Sequence, residues 1–233
     1  MIELIFAIAI MGIVLMSVPN IIRTTQRSSY LAIQQEGINE ASTHLNNILS
    51  YAWDQNDTNA SYLPPLLSVN NGDPALDEIP ATARRLGTPL QSSRTFLRSD
   101  GKTFTASAIG LDPGEHRGDE NDIDDFNNEI YHLTLISSSG DSSNDYVERG
   151  KDIKIFSSVH YAGDHPSHGN YNSSSILSFN TPSMVTNGTT NIKFITVTLV
   201  SNQAATTPEL EKKIVFKAFS CNIGGYKLDR SDF

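Results

Sequence analysis

Cysteine is almost missing from this 233-residue chain; Cys221 stands alone. An intrachain disulfide is therefore excluded, and so are zinc fingers, iron–sulfur clusters and attached c-type haems, which need several thiolates. Charge is also scarce: 18% of residues are charged against a usual quarter, and Ser, Thr and Asn take up the difference. Basic residues are outnumbered, with 17 Lys and Arg against 26 Asp and Glu, for a net charge of -9. That balance disfavours nucleic-acid binding through a general basic surface. Catalytic signatures are missing as well, with no G-x-S-x-G, no H-E-x-x-H and no P-loop. No reaction is expected of the chain. Disorder of the whole chain is excluded by Val, Ile, Phe and Tyr clusters that recur to the C-terminus.

What the chain does have is a long apolar start. The 19 residues from Leu4 to Ile22, LIFAIAIMGIVLMSVPNII, contain no charged side chain. As a helix they span about 28 Å at ~1.5 Å per residue, close to the ~30 Å hydrocarbon core of a bilayer. A secretory signal peptide should open with basic residues and close on a small-residue cleavage site, and Met1-Ile2-Glu3 does neither. An ordinary membrane anchor accommodates everything except Glu3, a carboxylate that needs a partner once buried. A buried core helix fits poorly, because the run is apolar on every face and the rest of the chain is too polar to wrap it.

Glu3, Gly12 and Pro19 together sharpen the reading. The stretch MIELIFAIAIMGIVLMSVPNII resembles the N-terminus of mature type IV pilins and pseudopilins. In that family a basic leader is cleaved and the new terminus is methylated; an aliphatic residue, Ile and Glu follow, here Met1, Ile2 and Glu3. The resemblance implies a leader and two mature residues ahead of Met1. Gly12 keeps the family spacing from the Glu, and Pro19 falls one residue earlier than is common. The combination of MIELIFAIAI, YAWDQND, DIDDFN, IKFITVTL and FKAFSCNIGG is most similar to large pilin-like subunits of Campylobacterota.

The resemblance implies a homo-oligomeric helical filament built through residues 1–53, with Glu3, Gly12 and Pro19 as assembly residues. Glu3 would meet the N-terminal amine of a neighbouring copy, a pairing that fixes register more than it adds stability. Gly12 and Pro19 are poor helix residues and permit local melting between them. The chain would lie in the inner membrane before assembly, work with pilus assembly machinery, and end in an extracellular filament on the cell surface.

The fold expected is α+β. One helix runs to about Trp53, roughly 80 Å at ~1.5 Å per residue, with residues 1–22 as the apolar membrane or filament-core segment. Leu31, Ile38, Ala41, Leu45, Ile48 and Leu49 recur at three- and four-residue steps and dock the second half on a head domain. Residues 54–233 form that β-rich head, opening with a loop region over 54–100 punctuated by Pro64-Pro65, Asn71-Gly72 and Asp73-Pro74. Strands are predicted at 103–108, 130–137, 153–161, 175–180, 191–201 and 212–220, in a mostly antiparallel sheet. With Cys221 alone, packing and hydrogen bonds must hold the NIGGYKL tail.

Four groups of residues invite chemistry. The run GDENDIDDFNNE carries six carboxylates in the eleven residues from Asp119 to Glu129. Clustered carboxylates suit a hard cation, so Asp119, Asp122, Asp124 and Asp125 are candidate ligands for a structural Ca²⁺, or simply a solvated acidic loop. The stretch is similar to the DxDD of mannose-sensitive haemagglutinin-type minor pilins and lacks the glycine and final acid of an EF-hand. His160, Asp164, His165 and His168 could hold Zn²⁺, though the Gly163 and Pro166 turn argues for plain exposure. Asn56 and Asn59 lie in acidic-extended sequons just past the helix, DQNDT and DTNAS, and are candidate glycosylation sites. Arg84, Arg85, Arg94 and Arg98 are the concentrated basic set that DNA uptake would require. The function that follows is a structural subunit of a type IV pilus or pilus-like filament, serving adhesion, motility or aggregation. The alternatives are a type II secretion pseudopilin and a periplasmic binding domain on a membrane helix that never polymerises.

Overall fold

The computed structural model describes residues 2–135, 151–180, 183–201 and 213–227. A single helix, α1, runs over Ile2–Ser50. Its 49 residues continue through Pro19, whose missing N–H leaves one carbonyl of the preceding turn without its ladder bond. Four strands follow: β1 (Ile130–Leu135), β2 (Lys151–Ala162), β3 (Ile192–Ser201) and β4 (Ile214–Cys221). They form one antiparallel sheet in the order β1-β2-β3-β4, against which the helix packs.

The described chain falls into two compact units. In the first, which includes α1 up to Ser42, Gly37 lies against the sheet. A Cβ on Gly37 would sit 3.2 Å from Leu199 Cδ2 and 3.3 Å from Ile153 Cδ1. The propensity this glycine gives up, about 1 kcal/mol relative to Ala, is thus offset by near contact between backbone and sheet.

The second unit begins at Thr43 and holds most of the loops. Ile48 at the end of α1 is fully buried, and His44 Nε2 lies 2.7 Å from Ser157 Oγ on β2. Tyr51 stacks edge-on against Phe126 with ring centres 4.9 Å apart.

Side-chain alternation explains the strands. On β3, Lys193, Ile195, Val197 and Leu199 are buried on one row; on the other, Ile192, Thr196 and Thr198 are half-buried and Phe194 is buried as well. On β4, Ile214, Phe216 and Ala218 are more covered than Val215, Lys217 and Phe219. Two of the six predicted strands are not strands. Within 103–108 a single bridge joins Thr105 to Ser68, and within 175–180 a single bridge joins Ser178 to His168. The 130–137 strand reaches Leu135 among described residues, and the Ser run over 137–143 lies outside them.

The loop region over 54–100 is ordered by side chains and scattered backbone bonds rather than by a ladder. Asn222 donates to Leu67 O at 2.7 Å and accepts from Leu67 N at 3.1 Å. Gly225 N donates to Pro64 O at 2.7 Å. Its Cβ position is already filled, 2.8 Å from Leu63 and Pro64 atoms, so glycine is required there. These bonds hold the NIGG segment without a disulfide.

Candidate functional site

Two regions of the chain carry unusual chemistry. The first is the N-terminal half of α1. It is long and apolar enough to cross a membrane, and none of its most apolar stretch is buried. Ile2, Phe6, Met11, Ile13 and Met16 are 72, 65, 65, 70 and 80% exposed. Glu3 is exposed in the first turn, and a Cβ at Gly12 would meet nothing within 4 Å. Free energy of burial scales at about 25 cal/mol per Å² of apolar area, so a surface this apolar drives the segment out of water.

The second region is a buried polar centre around Lys193. This side chain has no exposed surface. It sits on the core-facing row of β3, where the neighbours two and four residues on are Ile195 and Val197. Its ammonium is shared among three acceptors: Trp53 O at 2.6 Å, Asp54 Oδ2 at 3.3 Å, and Asp124 Oδ1 in direct contact. The rings of Trp53 and Tyr161 lie 4.5 and 5.6 Å from Nζ and close the cavity.

Each carboxylate is positioned by local structure. Asp54 follows α1 and caps a short 3-10 turn over Gln55–Asp57, accepting from Asn56 N at 3.2 Å. Its other oxygen accepts from Ser107 N at 2.8 Å and Ser107 Oγ at 3.0 Å. Asp124 opens a second 3-10 turn, Asp124–Phe126. Burial raises the pKa of the Asp124 carboxyl, and the Lys193 charge opposes that rise. Asp122 Oδ1 accepts from the backbone N–H groups of Asp124 and Asp125, at 3.0 and 3.3 Å. Burial, and then the charge of Asp124, pushes Asp122 up to about 9. Asp125 Oδ2 accepts from Asn121 N and Asp122 N, at 2.9 and 3.2 Å. A one-bridge pairing of Asp122 with Ala52 ties this acidic segment to the end of the helix.

The candidate calcium ligands are thus spread over different tasks. Asp119 is exposed, Asp122 and Asp125 bind backbone N–H groups, and Asp124 holds Lys193. Among the described residues no group of three or more His, Cys, Asp or Glu is placed to hold a metal ion. Lys193 supplies the positive charge at Asp124, whereas Asp122 Oδ2 and Asp125 Oδ1 are buried with no hydrogen-bond partner among the described residues.

The histidine group does not converge either. Asp164 is buried and accepts from Asp73 N at 2.9 Å and from Asn191 Nδ2 at 2.7 Å. His165 lies at the surface 3.4 Å from Asp164, while His160 packs on Phe194 with ring centres 5.4 Å apart. Burial holds the His160 pKa below its ordinary value.

The arginines brace loops. Arg85 donates to Leu76 O at 2.8 Å and also reaches Asn222 O and Asn191 Oδ1. Arg84 reaches Arg94 O at 3.1 Å. Arg98 pairs with Asp100 and lies 4.3 Å from the ring centres of both Tyr62 and Phe104. Of the two candidate glycosylation sites, Asn56 spends its amide on Thr105 O at 2.9 Å, whereas Asn59 is exposed.

Sequence reasoning missed Lys193. The signal was present: a lysine in phase with Ile195, Val197 and Leu199 on an alternating strand demands a buried counter-charge. The densest carboxylate run in the chain was the place to look for it.

A long exposed apolar N-terminal helix packed on a four-strand antiparallel sheet is a pilin-like architecture. No family model, no curated protein and no solved structure matches the chain.

Proposed function

We propose that the chain is the structural subunit of a type IV pilus or a pilus-like filament. The observation that carries this reading is the wholly exposed apolar half of α1, with one acid, Glu3, near its tip. A helix that is apolar on all sides needs either lipid or other apolar helices around it. Lipid surrounds it before assembly, in the inner membrane, and staggered copies of the same helix surround it afterwards. The carboxylate of Glu3 distinguishes the two. In lipid it is a defect that costs a few kcal/mol. Between copies it meets an N-terminal amine and sets the axial step.

Gly12 and Pro19 fit the same reading. Between them the helix is weakened at both ends, so it can melt locally as copies pack and the fibre can lengthen under load. The sheet domain faces outward and supplies the surface for adhesion, aggregation or motility. The test is replacement of Glu3 by Ala in the producing cell, with sheared surface fibres weighed against the membrane-bound pool. The proposal expects the chain to remain in the membrane while fibres are lost. Normal fibres from Glu3→Ala, or no fibres from the wild type, would overturn it.

A further inference from the structure

Fully buried lysines are rare because the ammonium loses its water and keeps its charge. Lys193 is buried against two carboxyl groups that have no exposed surface themselves. Nζ touches Asp124 Oδ1, and Asp54 Oδ2 stands 3.3 Å from the same nitrogen. Ser107 Oγ lies between the acids, 3.0 Å from Asp54 Oδ2 and 3.4 Å from Asp124 Oδ2. Trp53 and Tyr161 wall the nitrogen off with their rings. An amine in direct contact with a carboxyl group, a second carboxylate within reach, and full burial of all three are the requirements for making an amide. We propose that Lys193 and Asp124 condense into an intramolecular isopeptide bond, with Asp54 as the proton carrier.

The step balances without any co-reactant. A proton moves from the Lys193 ammonium to Asp124, giving a neutral amine beside a neutral acid. The nitrogen lone pair attacks Cγ of Asp124, and the carbonyl electron pair moves onto its oxygen. Asp54 takes one proton from the new N–C centre and delivers it to the departing hydroxyl. The C–O bond breaks, one water leaves, and Asp54 is a carboxylate again. Fixed contact between the two groups supplies the rate, because a reaction between held partners is effectively unimolecular. The product erases two buried charges. Its remaining N–H keeps Trp53 O, 2.6 Å from the nitrogen, as acceptor.

The bond would lock β3 to the Asp124–Phe126 turn, whose neighbour Asp122 pairs with Ala52 at the end of α1. It closes a long loop, the same kind of constraint on the unfolded chain that a disulfide imposes. Cys221 alone cannot provide such a staple within the chain. This inference stands on the Lys193 cavity and does not depend on the filament reading.

Intact-mass measurement of the folded full chain tests it. The expected mass is one water below the sequence mass, and proteolysis should release one branched peptide pair joined at Lys193 and Asp124. Lys193→Met and Asp54→Asn should each run at their full sequence masses. Asp124→Asn should lose ammonia instead of water and arrive at the same product mass as the wild type. A folded wild-type chain at its full sequence mass would overturn the proposal. So would a water deficit that persists in Lys193→Met, which would place the lost water elsewhere. If Lys193→Met fails to fold, the wild-type mass and the branched peptide still decide the matter.

Discussion

Asp57 shows how one side chain tunes the molecule with pH. Its carboxyl is pushed up to about 7 from an ordinary 3.8, first by burial and then by the charge of Asp54. The unfolded chain gives up this proton near 3.8 while the folded chain keeps it until about 7. The folded state binds more protons across that window, so its stability falls as pH rises through it. Asp57→Asn should therefore match the wild type below pH 3.8 and exceed it in thermal midpoint above about pH 7. An equal difference at both ends would remove this explanation. Asn222 is the opposite case, a side chain that stabilises at any pH. Asn222→Ala leaves Leu67 N–H and C=O unpartnered inside the protein and should cost about 1–3 kcal/mol in denaturant unfolding. The role of Asn222 is invisible in sequence, because nothing in CNIGG says that its amide will pair with a backbone more than a hundred residues away.

At the scale of elements, the sequence was most readable where periodicity was strict. The apolar run, the three- and four-residue steps and the alternation in IKFITVTL point to α1, β3 and β4 directly. Thr103–Ala108 and Ser175–Asn180 carry strand-like residues yet make one bridge each, because a strand needs a neighbour along its length and these have none. The acidic run was legible as a cluster but not as a partner for lysine, since its cation comes from a strand dozens of residues later. Gly37 reads in sequence as a weak point of the helix. In the fold it is the place where the helix backbone comes near Leu199 and Ile153. Gly37→Leu should lower stability by about 1–3 kcal/mol through overpacking, despite the better helix propensity of leucine. A variant as stable as the wild type would mean that the helix and sheet can part at no cost.

For the whole molecule the governing fact is an apolar helix half with nothing covering it in the single chain. If copies assemble through that half as proposed, Glu3 is decisive, because removing one member of a buried charge pair costs several kcal/mol. Fibre yield from Glu3→Ala should drop by roughly tenfold or more, one decade for each ~1.4 kcal/mol lost. Detergent-extracted single copies should keep the same thermal midpoint in variant and wild type, since Glu3 is exposed within one chain. The most direct measurement is electron cryomicroscopy of fibres sheared from the cell surface, at a resolution that traces side chains. The account predicts density that fits this chain, with the segment from Leu4 to Ile22 enclosed by copies of itself and the Glu3 carboxylate against a neighbour's amine. Fibres built without this chain, or copies found only singly in lipid with Glu3 replaceable at no cost, would contradict it.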